Sequence, residues 1–235
     1  MKLEFTMCGR FEIHSAIEII AKVFGIDPGS FSVKPNYNVA PSQDIAIVIR
    51  ERNKNRLVSC RWGFVCSWSK DMSEGYNMIN ARAETVPEKP SFRDAFLKQR
   101  CLVVADGFYE WKKEGSIKKP TYIHLRSGKP MGFAGLYNTW TSPQGDKVCT
   151  STIITTEANE LLYPIHDRMP VITPEDMFET WLDPSEHNKN TLKNILKPLP
   201  PEKLEIYEIS SKVNSVKYNE PDIILPVKKQ VSSER

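Results

Sequence analysis

Short apolar runs separated by turn-forming residues recur along most of the chain, and they restrict it to folds that are rich in β-strands. The continuous apolar run at residues 101–105 is typical of a buried strand. Strand-like runs at residues 45–50 and 57–62 flank the polar turn 53–55 and predict a hairpin. Further strands are predicted at residues 121–126, 131–140, 148–156 and 204–209.

A few segments carry helical patterns instead. Ile17, Ile20 and Phe24 recur at helical spacing, with Ser15 able to cap the helix and Gly25 able to end it. Residues 28–41 have the composition of a loop. The mixture predicts an α+β fold with a barrel-like, mostly antiparallel or mixed sheet. Other helices are predicted at residues 91–98, 173–182 and 187–196.

The composition is typical of one domain without an extreme charge. The chain has 235 residues and no low-complexity linker, which favours a single domain. Its 32 basic and 29 acidic side chains give a net charge of +3, too small to identify a nucleic-acid binder, although a local basic patch fits within it. No window is apolar enough to span a bilayer, and residues 1–6 lack the apolar core of a signal peptide. We therefore expect a cytoplasmic protein, nucleoid-associated in a bacterium, with no membrane partner.

The cysteines and the short motifs give little sign of a metal or a cofactor. Five cysteines without a C-x-x-C pair argue against a disulfide framework and against a structural zinc site. The chain has no Walker loop, no Rossmann glycine fingerprint and no G-x-S-x-G elbow. We expect neither a metal nor a small-molecule cofactor.

Cys8 stands at the head of the chain, directly after Met7. If the preceding residues are removed, its free α-amine and its thiol lie on adjacent carbons and form a 1,2-aminothiol. With ordinary pKa values of about 7.7–8.0 and about 8.5, both groups are partly nucleophilic in the cell. Such a pair condenses with an aldehyde, first as a Schiff base and then as a closed thiazolidine ring. The alternative is that Cys8 is a small buried hydrophobe in a first strand, which this stretch alone favours.

Glu110 and His166 are candidates for proton transfer. Glu110 lies between Tyr109 and Trp111 after a buried run, so desolvation is expected to raise its pKa. His166 begins a run of imidazole, carboxylate and guanidinium groups, and histidine is suited to proton transfer near neutrality. Taken singly, a glutamate at a strand end faces water more often than not, and a loop histidine is more often a surface group than a catalyst.

Polar and aromatic side chains elsewhere suggest a surface for nucleic acid. Asn80 and Arg82 point to one face of an extended backbone and can hold a phosphate or orient a sugar, although a solvated edge is equally common. Trp68 and Trp111, interleaved with basic residues such as Arg10, are the groups that stack and bind a single strand. Aromatic side chains near strands are, however, usually core residues.

Seven short segments stand in a specific order along the chain, at residues 7–11, 37–41, 62–63, 79–84, 105–111, 165–170 and 213–217. They begin with Met-Cys-Gly-Arg-Phe, include Asn-Ala-Arg-Ala-Glu and Asp-Gly-Phe-Tyr-Glu-Trp, and continue with His-Asp-Arg-Met-Pro. This series resembles the SOS-response-associated peptidase (SRAP) family, which includes hydroxymethylcytosine-binding proteins. The resemblance covers residues 7–227, followed by an expected disordered tail at residues 228–235.

The resemblance implies one mixed α/β domain with a barrel-like sheet and a basic groove for single-stranded DNA. It also implies covalent capture of abasic sites, as a thiazolidine, together with a self-processing peptidase activity and with no cofactor. Matched position by position, Cys8 is the nucleophile, Asn80 orients the reacting sugar, Glu110 adjoins the α-amine and His166 exchanges protons. The implied DNA contacts are Arg10, Arg82, Trp68 and Trp111.

The beginning of the chain departs from the family pattern, in which Met-Cys commonly comes first. Here residues 1–6 precede Met7, as a cloning remnant, a misassigned start or a propeptide, and while they remain attached Cys8 has no free amine. Two other functions stay open: a cysteine peptidase that acts on other proteins through Cys8 and His166, and a non-covalent reader of modified bases. A monomer is the default expectation.

Overall fold

The computed structural model describes residues 8–29 and 31–227. The predicted extension at residues 1–6 and tail at residues 228–235 lie outside the described residues, as does Met7. Within the described part the chain forms one domain of mixed strands and helices, which confirms the α+β fold. Its strands are β1 (Phe11–Ile13), β2 (Asn36–Val39), β3 (Asp44–Glu51), β4 (Lys54–Trp62), β5 (Asn80–Arg82), β6 (Arg100–Ala105), β7 (Gly107–Glu114), β8 (Ile117–Leu125), β9 (Met131–Thr141), β10 (Lys147–Glu157), β11 (Arg168–Pro170), β12 (Ile172–Thr173) and β13 (Leu204–Glu208).

The α-helices are short and lie outside the sheets. They are α1 (Ile17–Phe24), α2 (Arg93–Lys98), α3 (Phe178–Leu182) and α4 (Lys189–Ile195). Among the described residues, no helix has the length and apolar character needed to cross a membrane.

Five strands close into a barrel that forms the main core. β3 pairs with β4 and β6, β6 pairs with β9, β9 pairs with β10, and β10 returns to β4 as a parallel neighbour. Burying each large apolar side chain of this core stabilises the fold by about 1.5–3 kcal/mol. Each barrel strand contributes at least one fully buried side chain: Ile47, Trp62, Leu102, Phe133 and Ile153.

A second, antiparallel sheet has the order β13-β8-β7-β1-β2 and carries the beginning of the chain. β7 starts at Gly107, where a Cβ atom would lie only 2.3 Å from Tyr122 Cε2 of β8, so glycine at this position leaves room for the Tyr122 ring. Phe11 of β1 faces Phe108 of β7 across the sheet. This register brings Cys8, three residues before β1, to the middle of β7.

Most predicted elements are confirmed, with two local errors. The hairpin forms β3 and β4, and α1 ends at Gly25 in the left-handed conformation with φ +60°. Ser15 is not the cap of α1, because its hydroxyl donates to Asp106 and Ala16 takes the N-cap position instead. Residues 28–41 are not all loop, because residues 36–39 form β2 against β1.

One disulfide joins Cys60 of β4 to Cys149 of β10, so the prediction made from the cysteine count was wrong for this pair. The parallel pairing of these strands places the two Cα atoms 4.7 Å apart, although the residues are 89 positions apart in sequence. Spacing along the chain therefore gave no signal of the contact. Cys8, Cys66 and Cys101 are free thiols.

Candidate active site

Cys8 and Glu110 meet beside the pairing of β1 with β7. The backbone nitrogen of Cys8 donates a hydrogen bond to Glu110 Oε1 at 2.8 Å. With Met7 attached this nitrogen is a peptide N–H, and it stands in for the α-amine of a chain that begins at Cys8. Cys8 is 2% exposed, and its φ of +46° is a conformation that residues other than glycine rarely adopt. Two residues predicted from the sequence to act together are therefore in direct contact.

Burial determines the charge of Glu110, as the sequence predicted. Desolvation raises the pKa of Glu110 to about 7, and the negative charge of Asp167 adds to the increase. Hydrogen bonds from the N–H groups of Cys8 and Trp111 lower the pKa and offset part of this effect. Burial, followed by the charge of Glu110, raises the pKa of the Cys8 thiol well above its ordinary value. A carboxyl group with a pKa near 7 exchanges protons readily at neutral pH, whereas the buried thiol stays protonated.

Two adjoining clefts surround this contact. The Glu110 cleft, of about 570 Å³, is lined by Glu110, Trp111, Lys113, Lys118, Ile165, His166 and Asp167. The Arg82 cleft, of about 370 Å³, is lined by Arg82, Glu157, Ala158, Tyr163, Asp167 and Arg168. Because Asp167 lines both, the two clefts are neighbours, and together, as the groove, they hold the predicted proton-transfer groups and one predicted DNA contact.

His166 lies in the loop before β11, with its side chain 26% exposed. Its Nδ1 lies 2.9 Å from Asp167 Oδ1 and accepts the backbone N–H of Arg168 at 3.0 Å. Burial, and then the positive charges of Lys113 and Arg168, lower the pKa of the imidazole, while Asp167 raises it. The guanidinium of Arg168 anchors the loop through both oxygens of Glu84 at 2.7 and 3.0 Å.

Asn80 is the first residue of β5 and is half-buried. It pairs in parallel with Ile153 of β10. The indole of Trp62 donates to the carbonyl oxygen of Ile79 at 2.9 Å and so holds the residue directly before Asn80. Asn80 is not among the residues that line the two clefts, although Arg82 of the same strand is, and its predicted role in orienting the sugar stays a prediction.

The predicted DNA contacts occupy three different environments. Arg82 is exposed and lines the Arg82 cleft, and Trp111 lines the Glu110 cleft although only 8% of it is exposed. Trp68 is 61% exposed and lies outside both clefts. Arg10 is only 6% exposed, so a structural role is an alternative to the predicted contact with phosphate. Its guanidinium carbon lies 6.0 Å from the centre of the Trp111 ring, which is the distance of a cation–π contact.

The segment at residues 213–218, the closing segment, holds Arg10 and Trp111 in place. Arg10 donates to the carbonyl oxygen of Val213 at 2.9 Å, and the indole of Trp111 donates to Asn214 Oδ1 at 2.7 Å. Asn38 of β2 completes the arrangement by accepting from Arg10 and donating to three carbonyl oxygens of the closing segment. These hydrogen bonds join Arg10, close to β1, to a segment 203 positions further along the chain.

Sequence reasoning missed several groove residues. Lys113 and Lys118 face each other across the β7–β8 hairpin and line the Glu110 cleft. The neighbouring pair, Lys112 and Lys119, is held by Glu114 at 2.9 Å from each ammonium. The turn at residues 114–116 was a usable signal, because folding the strands around it places the lysines opposite one another. Tyr163, 69% exposed in the Arg82 cleft, had no comparable signal.

Glu12, His14 and Asp106 form a cluster with ligand-type atoms within 4.8 Å of one another. Their oxygens already have protein partners: Glu12 Oε1 accepts from the hydroxyl of Tyr122 at 2.6 Å, and Asp106 Oδ2 accepts the N–H groups of His14 and Ser15 at 2.6 and 2.7 Å. These bonds fit a structural cluster that fastens the start of α1 to the end of β6.

Relatives with similar sequences extend across nearly the whole chain. The chain is 46% identical to the abasic site processing protein YoqW of Bacillus subtilis over 223 residues, which cover 93% of this chain and 99% of that protein. It is 30% identical to the abasic site processing protein HMCES of Gallus gallus, over 86% of this chain and 69% of that protein.

A solved structure has the same fold. The crystal structure of a protein from Bacteroides thetaiotaomicron aligns with a TM-score of 0.82 and 29% identity, covering 94% of this chain and all of that one. The family described as SOS response associated peptidase (SRAP) matches residues 7–216. Because that match includes Cys8, Glu110 and His166 together with the whole barrel, the chain belongs to the SRAP family.

Proposed function

We propose that this protein processes abasic sites in DNA by capturing them covalently at Cys8, once the residues before Cys8 have been removed. The observation that carries the proposal is the 2.8 Å contact between the nitrogen of Cys8 and Glu110, beside a cleft that also holds His166. Relatives at 30–46% identity that bear the name abasic site processing protein support it.

The chemistry needs no oxidant and no cofactor. The ring-opened sugar of an abasic site is an aldehyde. The α-amine of Cys8 adds to its carbonyl carbon and water leaves, which gives an imine. The thiol then adds across the C=N bond, with sulfur bonding to carbon and its proton passing to nitrogen. One aldehyde and one aminothiol thus yield a thiazolidine and one water molecule.

Glu110 and His166 supply the proton transfers. Glu110 accepts the proton that the ammonium of Cys8 must lose before its lone pair can attack, because its carboxyl oxygen lies 2.8 Å from that nitrogen. His166 protonates the sugar oxygen that leaves when the ring opens. Each such transfer contributes about 10²- to 10⁴-fold in rate.

Exposure of the α-amine requires cleavage of the Met7–Cys8 bond. In this hydrolysis water adds to the carbonyl of Met7, the residues before Cys8 leave with a new carboxylate, and Cys8 keeps the nitrogen as an amine. The φ angle of Cys8 is measured from the carbonyl carbon of Met7. Cleavage of the Met7–Cys8 bond therefore also removes the disfavoured φ of +46°. This relief supports self-processing as part of the same function.

The groove favours single-stranded DNA as the substrate. The reacting carbon must reach Cys8, which is 2% exposed, and a duplex would first have to be opened or kinked to bring it there. Arg82, Lys113 and Lys118 supply positive charge for phosphates along the two clefts, and Trp68 and Trp111 offer surfaces for stacking. We propose that the protein acts inside the cell as a monomer, with Asn80 orienting the sugar.

The test is the intact mass of the protein before and after incubation with a single-stranded oligonucleotide that carries one abasic site. We expect a one-to-one adduct only when the chain begins at Cys8. Its mass should be the sum of the masses of protein and oligonucleotide minus the mass of one water molecule. Cys8→Ser should form no stable adduct, whereas the matched variant Cys66→Ser, at another free thiol, should form it normally. An unmodified mass from a chain that begins at Cys8 would overturn the proposal.

A further inference from the structure

The nitrogen Nδ1 of His166 has two competing partners in this structure. The N–H of Arg168 points at Nδ1 from 3.0 Å and requires that this nitrogen carry a lone pair. Asp167 Oδ1, at 2.9 Å, can bond to the same nitrogen only when Nδ1 carries a proton. The two contacts therefore favour different protonation states of one ring.

These states are not equivalent for catalysis at Nε2. When neutral His166 accepts from Arg168, its proton sits on Nε2, and that nitrogen has neither a lone pair nor a readily released proton. When Nδ1–H faces Asp167, Nε2 is either the acid of an imidazolium or the base of a neutral imidazole. Only the partnership with the carboxylate keeps Nε2 competent for proton exchange.

We propose that Asp167 is a positioning residue, which keeps Nδ1 of His166 protonated so that Nε2 exchanges the proton with the DNA sugar. The inference deepens the function proposed above and rests on it for the identity of the substrate. Asp167 suits the role by place as well as by chemistry, since it lines both clefts and its loop is fixed through the pairing of Arg168 with Glu84.

Two basic groups near His166 oppose Asp167. Lys113 of β7 and Arg168 beside it lower the pKa of the imidazole, and burial does so more strongly. Lys118 of β8 and Glu110 of β7 line the same cleft. Asp167 is 76% exposed, so solvent weakens its charge, and its removal lowers the pKa of His166 without changing the sign of the balance.

A test without DNA measures the tautomer directly. With ¹⁵N-labelled histidine, the four histidines of the chain give few signals, and His166→Gln identifies the signal of interest. We expect Nδ1 of His166 to be protonated in the parent chain and unprotonated in Asp167→Ala, where Arg168 is its remaining partner. Asp167→Asn keeps an acceptor oxygen and should retain the Nδ1–H tautomer. Identical nitrogen shifts in the parent and Asp167→Ala would overturn the inference, whether or not the protein reacts with DNA.

A second test follows the rate of adduct formation against pH, in chains that begin at Cys8. We expect Asp167→Ala, which loses the Nδ1–H tautomer, to reduce the rate at pH 7 by about tenfold or more, because Nε2 can then no longer exchange the proton. Asp167→Asn keeps the tautomer and should lie closer to the parent profile. Glu160→Gln removes an exposed carboxylate from the same loop and should reproduce the parent profile. Superimposable profiles for Asp167→Ala and the parent would refute the role. If no chain forms an adduct, the proposed function fails, and the nitrogen shifts still decide the tautomer.

Discussion

In the function that we propose, one carboxyl group, that of Glu110, meets two forms of the chain. With Met7 attached, the buried Glu110 accepts the peptide N–H of Cys8. In a chain that begins at Cys8, we expect it to face an ammonium group at the same place, whose positive charge lowers its pKa. We therefore expect the carboxyl group to be neutral near pH 6 in the unprocessed chain and ionised in the processed one.

Replacing Glu110 should slow capture far more than it weakens DNA binding. In a chain that begins at Cys8, we expect Glu110→Gln to reduce the rate of adduct formation about 10²- to 10⁴-fold, because the ammonium loses its proton acceptor. Single-turnover kinetics with an abasic oligonucleotide measures the rate, and fluorescence anisotropy with an intact oligonucleotide measures binding. A rate within threefold of the parent would exclude this role for Glu110.

In the precursor, Glu110 should reduce stability at high pH. Its pKa is raised from 4.5 to about 7 in the folded chain, so its favourable contribution is present below pH 4.5 and is lost as pH rises through 7. We therefore expect Glu110→Gln to gain stability over the parent, by about 1–3 kcal/mol, between pH 5 and pH 8. Urea unfolding at both pH values checks this, and a difference that is constant with pH would contradict it.

At the scale of elements, the indole of Trp62 fixes the backbone directly before Asn80. Trp62→Phe keeps the buried ring but removes the donor to the carbonyl oxygen of Ile79, and we expect a loss of about 1–3 kcal/mol with slower capture. Trp181→Phe is the matched control, because its indole makes a similar buried bond, at 2.8 Å, to Cys101 in β6. Urea unfolding should show comparable losses for both variants, and only Trp62→Phe should change the rate. Equal capture rates for the two variants would show that the position of Asn80 does not affect the reaction.

Sequence patterns predicted the elements better than the contacts between them. The hairpin of β3 and β4 was predictable because its two runs and its turn are adjacent, and α1 was predictable from its spacing and its glycine end. The short strand β5 has no periodicity of its own, since it is stabilised by pairing with β10, some 70 positions later. The disulfide between Cys60 and Cys149 was missed for the same reason.

The candidate site was predictable by residue but not by geometry. Cys8, Glu110 and His166 stood out through position, desolvation and chemistry, and the resemblance connected them. Asp167 could not be assigned a partner from sequence, because whether a neighbouring carboxylate bonds to an imidazole depends on the loop conformation. The burial of Arg10 was equally hidden, since it results from a closing segment 203 residues further along the chain.

At the scale of the whole molecule, the small net charge of +3 is matched in the groove, which carries charges of both signs: Arg82, Lys113, Lys118 and Arg168, and Glu110, Glu157 and Asp167. We expect replacement of Lys113 and Lys118 by glutamine to weaken single-stranded DNA binding and to reduce the slope of log K against log salt by about 0.7 for each phosphate that the variant no longer neutralises. The adjacent pair Lys112 and Lys119 is the matched control, because it does not line the Glu110 cleft, and its replacement should change the slope much less. Anisotropy titrations at several salt concentrations measure the slopes, and equal slopes for both double variants would place the DNA elsewhere.

The bonds between the closing segment and the start of the chain bear on the order in which the protein is made. Cys8 and Arg10 leave the ribosome long before Val213 and Asn214, which later fix Arg10 and Trp111 in place. A nascent chain therefore carries Cys8 before Arg10 and Trp111 have these partners. We expect a fragment left by interrupted synthesis to lack them, so that the surroundings of Cys8 form only once residues 213 and 214 have been made.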